Sequence, residues 1–252
     1  MSEPKVHYEV LGEGPPLVMI HGLGGTINFY EPIVERLATT HRVIRYDFNG
    51  HGRSPLEEPI TVEGLADQAA ALIDELADGQ AHVVAHSMGT LIAQHLGAAH
   101  PDKVASMVLL GPVTAQHDAA RRATRERAAT VRATGMGAVA DAIVRSGTAP
   151  TSRAANALVG ACVREMLTRQ VPENYAQACE ALASAEDPDL SPVAGRVLLL
   201  TGSADAVGKP EIAQELATRF TDAECHVIED IGHWTVIEAP GEVLRAIEAF
   251  LG

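Results

Sequence analysis

The sequence predicts an α/β domain: a mostly parallel, doubly wound sheet interrupted by a helical cap insertion. Three observations carry this. Short runs of Val, Ile and Leu recur without polar alternation, as in strands buried on both faces. Between them lie stretches with apolar residues at helical spacing. Residues 113–190 then break the alternation with Ala- and Arg-rich helical sequence and no strand pattern.

The first strand is read at Val6–Leu11, ending in Gly12-Glu13-Gly14-Pro15-Pro16, a turn cluster that would join a hairpin. Further strands are read at Leu17–Ile20, Arg42–Asp47, His82–His86, Val104–Leu110, Arg196–Thr201 and Cys225–Glu229. Helical periodicity covers Phe29–Ala38, Val62–Leu76, Thr90–Ala99, Glu211–Phe220 and Gly241–Phe250. The core is therefore drawn as 1–112 plus 191–252. The cap, 113–190, is punctuated by Gly135, Gly137, Pro150, Gly160 and Pro172. Open α/β sheets bind ligands at the carboxyl ends of their strands, so a cap there would close a pocket and exclude water.

Bulk properties exclude several classes. At 252 residues the chain can bury a substantial core, and 46% hydrophobic with 21% charged residues is ordinary for a globular protein. No apolar run approaches the roughly 20 residues that span a bilayer, and Met-Ser-Glu-Pro-Lys lacks the apolar stretch of a signal peptide. A cytoplasmic protein with no membrane partner is expected. A net charge of −14 without a Lys/Arg cluster that would track a phosphate backbone argues against nucleic acid. Residues 112–190 hold nine Arg and nine Asp/Glu and are neutral, so the rest of the chain carries the acidity. Within them Arg121, Arg122, Arg125 and Arg127 are read as a solvated helix face, the alternative being that one receives an anionic substrate group. Cys162, Cys179 and Cys225 have neither metal-ligand nor disulfide-framework spacing, so reduced thiols, no metal and no cofactor are expected. Composition is silent on oligomeric state.

Chemistry concentrates at Ala85-His86-Ser87-Met88-Gly89, between a strand and a helix. A serine on so tight a turn projects its hydroxyl above the sheet, provided small residues flank it. A serine alcohol also needs a base and oxyanion donors. Of the eleven histidines, His233 in Asp230-Ile231-Gly232-His233-Trp234 is the one that follows the last strand. His86 would point away and pack. His21 and His51, in glycine-rich loops, are read as bonded to backbone. The acid is read as Asp205, directly after the run Val197–Leu200, with Asp230 as competitor; the position after the preceding strand, Gly111-Pro112-Val113-Thr114, offers no carboxylate. Oxyanion donors are read as the backbone N–H groups of Met88 and Leu23, the latter in His21-Gly22-Leu23-Gly24-Gly25. That loop lacks the glycine spacing and the Gly-Lys-Ser/Thr of phosphate loops.

Taken together, these residues resemble the α/β-hydrolase fold family over nearly the full chain, in the order Ser87, Asp205, His233. Asp47-Phe48-Asn49-Gly50-His51-Gly52-Arg53-Ser54 is similar to that family's structural D-x-R-G-H-G-x-S loop, with Asn49 where arginine is commoner. Serine rather than aspartate at the elbow implies ester or lactone cleavage through an acyl-enzyme, rather than dehalogenation or epoxide opening. The cap, from Gly135-Met136-Gly137 to Tyr175 and Leu182, loosely resembles that of 3-oxoadipate enol-lactonase-like members. It departs from them in lacking tryptophan: the chain's one Trp is Trp234. Substrate contacts are accordingly expected from Gly22, Trp234 and Met136, while Met136, Met166, Leu158 and Leu167 are read first as cap core, the alternative being an aliphatic pocket wall. The expected partner is a small ester or lactone. A carbon–carbon bond hydrolase of the same fold, or a receptor-like binder retaining the triad, are the alternatives.

Overall fold

Seven strands, β1 (Tyr8–Leu11), β2 (Pro16–Ile20), β3 (Arg42–Tyr46), β4 (Ala81–His86), β5 (Val104–Leu110), β6 (Arg196–Gly202) and β7 (Ala223–Ile228), form one sheet in the order β1-β3-β2-β4-β5-β6-β7. This computed structural model describes residues 5–252; residues 1–4, the start of the segment read above for a leader, lie outside it. Every neighbouring pair is parallel except β1–β3. The four central strands are almost wholly buried, which is why they read as unbroken apolar runs. Edge strand β7 instead alternates, exposing Glu224 and His226.

The hairpin expected at Gly12–Pro16 does not form. β1 pairs antiparallel with β3, Tyr8 opposite Tyr46 and Leu11 opposite Val43. The reason is that β2 is held on both sides, by β3 and β4, leaving β1 only the outer edge of β3. Gly12 and Gly14, with φ of +76° and +117°, turn the chain beneath that edge. A Cβ on Gly12 would lie 2.2 Å from the Ala38 carbonyl oxygen, so only glycine fits the crossing.

Helices α1 (Glu31–Leu37), α2 (Val62–Leu76) and α3 (Met88–Ala99) connect β2 to β5, and Ile27–Tyr30 forms a 3₁₀ turn that shortens the first of them. Thr61 caps α2 by accepting from the Gly64 N–H at 2.9 Å. Between β5 and β6 run five helices, α4 (Asp118–Thr134), α5 (Gly137–Gly147), α6 (Pro150–Ala155), α7 (Ala157–Thr168) and α8 (Pro172–Ser184). The chain ends with α9 (Pro210–Ala217), the single turn α10 (Thr235–Glu238) and α11 (Pro240–Leu251). No helix among the described residues is long and apolar enough to cross a membrane.

The five inserted helices dock on loops at the carboxyl ends of the strands. Gln170 Nε2 donates to the Gly24 and Gly25 carbonyls, both at 3.2 Å. Asn174 donates to Gly50 O at 3.0 Å, and Gly147 O accepts from the His233 N–H at 2.8 Å. The arginine cluster is the expected solvated face only in part: Arg122 and Arg125 are exposed, whereas Arg121 and Arg127 are partly buried. Arg121 donates to the Ala185 carbonyl at 3.0 Å and Arg125 to that of Ala183 at 3.3 Å, both at the last turn of α8, where carbonyls lack helical partners. Leu158 is 65% exposed and cannot wall a pocket, whereas Met136, Met166 and Leu167 are buried with Tyr175 and Trp234 in one apolar cluster.

Candidate active site

Ser87 is the hinge between β4 and α3, with φ +52° and ψ −123°, a left-handed backbone that costs a serine about 1–3 kcal/mol. The surroundings hold it there. Its N–H donates to Leu110 O at 3.0 Å, and its carbonyl accepts from the N–H and the hydroxyl of Thr90, each at 2.7 Å. Small neighbours are obligatory. A Cβ on Gly89 would lie 2.5 Å from Ile20 O, and one on Gly22 would lie 2.8 Å from the Ser87 Cβ. Ala85, in the elbow's first position, is fully buried in the core beneath.

The structure brings the three side chains together. His233 Nε2 is 2.7 Å from Ser87 Oγ, and His233 Nδ1 is 2.8 Å from Asp205 Oδ2. Asp205 follows β6 and His233 follows β7, so adjacent parallel strands deliver carboxylate and imidazole to one end of the sheet. Asp205 Oδ1 accepts from the Val207 and Gly208 N–H groups at 2.7 and 2.9 Å, which fixes the carboxylate. Burial alone would raise the Asp205 carboxyl. The facing His233 charge and these hydrogen bonds outweigh it and hold the group below its ordinary range. An anionic Asp205 at Nδ1 requires the proton there, leaving Nε2 as acceptor for the serine hydroxyl. Asp230, the competitor, is exposed on a turn and makes no contact with the imidazole.

Neither the Leu23 nor the Met88 N–H donates to a protein group among the described residues. Met88 opens α3, so its amide has no carbonyl four residues back. Gly24, with φ +74°, turns the Leu23 loop beneath the cap, where the Tyr175 ring and Leu167 close over it. Trp234 is buried against Phe29 and His86, with ring centroids 6.0 and 5.6 Å apart. Met136 is buried at the start of α5. The Asp47–Ser54 loop is scaffolding: Asp47 accepts from the Ile27 and Arg53 N–H groups at 2.8 and 2.9 Å, and Asn49 ties Glu57 and Glu58.

Two residues escaped the sequence reading of roles. Gly111, noted only for lacking a carboxylate, has φ +54° and passes over the Asp205–His233 pair; a Cβ there would lie 3.0 Å from His233 Nδ1. Its one signal was a Gly-Pro directly after a strand. His86 does more than pack. Its ring stacks on Phe29 at 4.1 Å, and its Nε2–H donates to the His233 carbonyl at 2.9 Å, fixing the backbone that carries the His233 imidazole. His21 is bonded as expected, Nδ1 to Gly22 O at 2.9 Å, but both nitrogens of buried His51 lack partners.

These histidines predict an acid-sensitive fold. Burial, then the charge of His233, pushes His86 down to about 3, and burial also lowers His51 and His21. Unfolded, each would protonate near its ordinary value of about 6.5. Below that pH the unfolded chain binds protons that the folded one refuses, so the stability is complete above about 6.5 and declines as pH falls toward 3. His86 contributes about 1.4 kcal/mol per pH unit inside that window, and His51 and His21 act in the same direction. Urea unfolding between pH 7 and 5 should show this slope, reduced by one proton in His86→Gln. An unchanged slope in that variant would refute the assignment.

Fold and turn together define a class of α/β proteins that present a side chain above the carboxyl ends of a parallel sheet. The family profile described as alpha/beta hydrolase fold matches residues 15–240, so the chain belongs to that family and is a hydrolase by kinship. It is 28% identical over 249 residues to the (E)-2-((N-methylformamido)methylene)succinate hydrolase of Acinetobacter baylyi, covering 97% of this chain and 93% of that one. Among solved structures it is similar to a thermophilic esterase from Thermogutta terrifontis, with TM-score 0.92, 26% identity and coverage of 98% and 92%. It is also similar to the enol-lactonase from Burkholderia xenovorans LB400, with TM-score 0.88, 27% identity and coverage of 98% and 96%.

Proposed function

We propose that this hydrolase cleaves small carboxylic esters or lactones through an acyl-enzyme on Ser87. The observation that carries the reading is the unbroken relay from Ser87 Oγ through His233 to Asp205, at 2.7 and 2.8 Å. His233 Nε2 takes the hydroxyl proton as Ser87 Oγ attacks the carbonyl carbon. The Leu23 and Met88 amides receive the oxyanion. Collapse expels the alcohol or enol, which takes the proton from His233 Nε2. In a lactone that leaving oxygen stays tethered to the acyl group. Water, deprotonated by the same imidazole, then attacks the acyl carbon, and Ser87 leaves with its proton restored.

The esterase and enol-lactonase named among the similar structures support this class of bond. Gly22, Trp234 and Met136 would line the substrate's path, with Gly22 bearing directly on Ser87. The test is twofold. The protein should hydrolyse p-nitrophenyl butyrate, and a fluorophosphonate should add once to the chain, on the peptide containing Ser87. A folded sample that neither turns over an activated ester nor takes the label would sink the reading.

A further inference from the structure

His233 belongs to no helix or strand. It lies in the loop 229–234 between β7 and α10, so the place of its imidazole depends on what holds the backbone around it. Its own N–H donates to Gly147 O at 2.8 Å, and its carbonyl accepts from His86 Nε2 at 2.9 Å. Those bonds anchor the residue itself. The amides of its two neighbours need acceptors of their own.

Glu238 supplies both. Its Oε2 accepts from the Gly232 N–H at 2.9 Å and its Oε1 from the Trp234 N–H at 3.1 Å, so one carboxylate brackets His233. Oε2 also accepts from the Ala149 N–H at 2.8 Å, in the cap link between α5 and α6. Helix capping alone does not call for this set. A glutamate reaching back from α10 to the Trp234 N–H would close that helix start with one bond, and the other two lie outside the helix.

The close approach is built into Gly232. A Cβ there would lie 2.8 Å from Ala149 N, 2.8 Å from Gly147 O and 3.0 Å from Glu238 Oε1. Cap link, carboxylate and histidine loop therefore meet at one bare Cα. Thr151 adds a further tie from the cap, its hydroxyl donating to Asp230 O at 2.9 Å.

We propose that Glu238 is a positioning residue for His233: its carboxylate locks the amides on both sides of the histidine and ties them to the cap, so that Nε2 is held on Ser87 Oγ. This rests on the reading of His233 as the base in ester or lactone cleavage, and it makes seating of the cap a condition for that 2.7 Å contact. Both carboxylate oxygens accept. The amide of a glutamine, though nearly the same shape, must turn an NH₂ toward at least one backbone N–H.

Glu238→Gln is therefore the variant to make, with Thr61→Ala, which removes the remote cap of α2, as a destabilised control. On p-nitrophenyl butyrate, Glu238→Gln should lower kcat by about 10–100-fold with KM within about twofold, while Thr61→Ala keeps the parent kcat. A folded Glu238→Gln with kcat within about twofold of the parent overturns the proposal. So does a loss of activity that follows melting temperature equally in both variants, which marks a structural glutamate. Two NMR measurements separate this claim from the hydrolytic one. Hydrogen exchange at the Ala149, Gly232 and Trp234 amides should quicken by about tenfold or more in Glu238→Gln. The imidazole nitrogen shifts of His233 should move toward the mixed tautomers of a free imidazole. Both changes together support the positioning role even if the parent protein cleaves no ester, in which case the hydrolytic reading fails instead. Parent exchange rates at all three amides, or unmoved imidazole shifts, sink the positioning role whatever the activity.

Discussion

Ser87→Ala should lower kcat/KM for p-nitrophenyl butyrate by about 10⁴-fold or more while leaving the melting temperature close to that of the parent. The size follows from connectivity. Ser87 Oγ has His233 Nε2 as its bonding partner at 2.7 Å, so removing it deletes the proposed nucleophile and leaves the imidazole unpartnered on that side. Groups that act as one relay are strongly non-additive. His233→Ala should therefore cost a similar factor, and the double variant little more than either single one. Asp205→Asn should cost less, about 10²–10⁴-fold, because the amide keeps the geometry but favours the wrong imidazole tautomer. The fold should tolerate the serine change because the residue's backbone, not its hydroxyl, makes the structural bonds to Leu110 and Thr90. Retention of more than a tenth of the wild-type rate in Ser87→Ala, with the residual activity surviving further purification, would remove the serine from the chemistry.

The sheet and the approach of Ser87, Asp205 and His233 were legible because both are written in local pattern. Buried strands read as unbroken apolar runs, and a helix-opening serine between small residues marks a tight turn. The strand pairing of β1 was not legible. The Gly12–Pro16 turn looks like a hairpin, and only the occupation of both edges of β2 by β3 and β4 forbids one. The carbonyl partners of the cap arginines are hidden for a related reason. Arg121 and Arg125 have a helical spacing compatible with a wet face, but the partners that claim them are carbonyls of α8, some sixty residues away in sequence. His86 was likewise placed correctly in space, in the core beside the elbow, yet its bond to the His233 carbonyl spans 147 positions and has no local signature. What the sequence conceals is the pairing of polar groups between distant segments, which is where positioning of the His233 imidazole resides.

Gly111→Ala tests that positioning without touching a reacting atom. Two penalties coincide at this glycine. Its φ of +54° lies where an L side chain meets its own backbone, a cost of about 1–2 kcal/mol in stability. The new methyl would also stand 3.0 Å from His233 Nδ1, 3.1 Å from Cε1 and 3.2 Å from Asp205 Oδ2, closer than side chains normally pack. One of the partners must give way. Asp205 is clamped by the Val207 and Gly208 amides, and the backbone of His233 by Gly147 and His86, so the yielding coordinate is the Nδ1–Oδ2 bond between them. Tilting the imidazole also lengthens its reach to Ser87 Oγ. A displacement approaching 1 Å at a reacting centre can cost about 10²-fold, and the expected loss in kcat is about 10–100-fold with KM little changed. Gly135→Ala supplies the control. Gly135 has a comparable φ of +76° at the end of α4, but nothing lies within 4 Å of its missing Cβ. It should lose similar stability and no activity. If both variants lose activity in proportion to their stability, the defect at 111 is one of folding. A fall in kcat for Gly111→Ala alone locates it in the bond between acid and base.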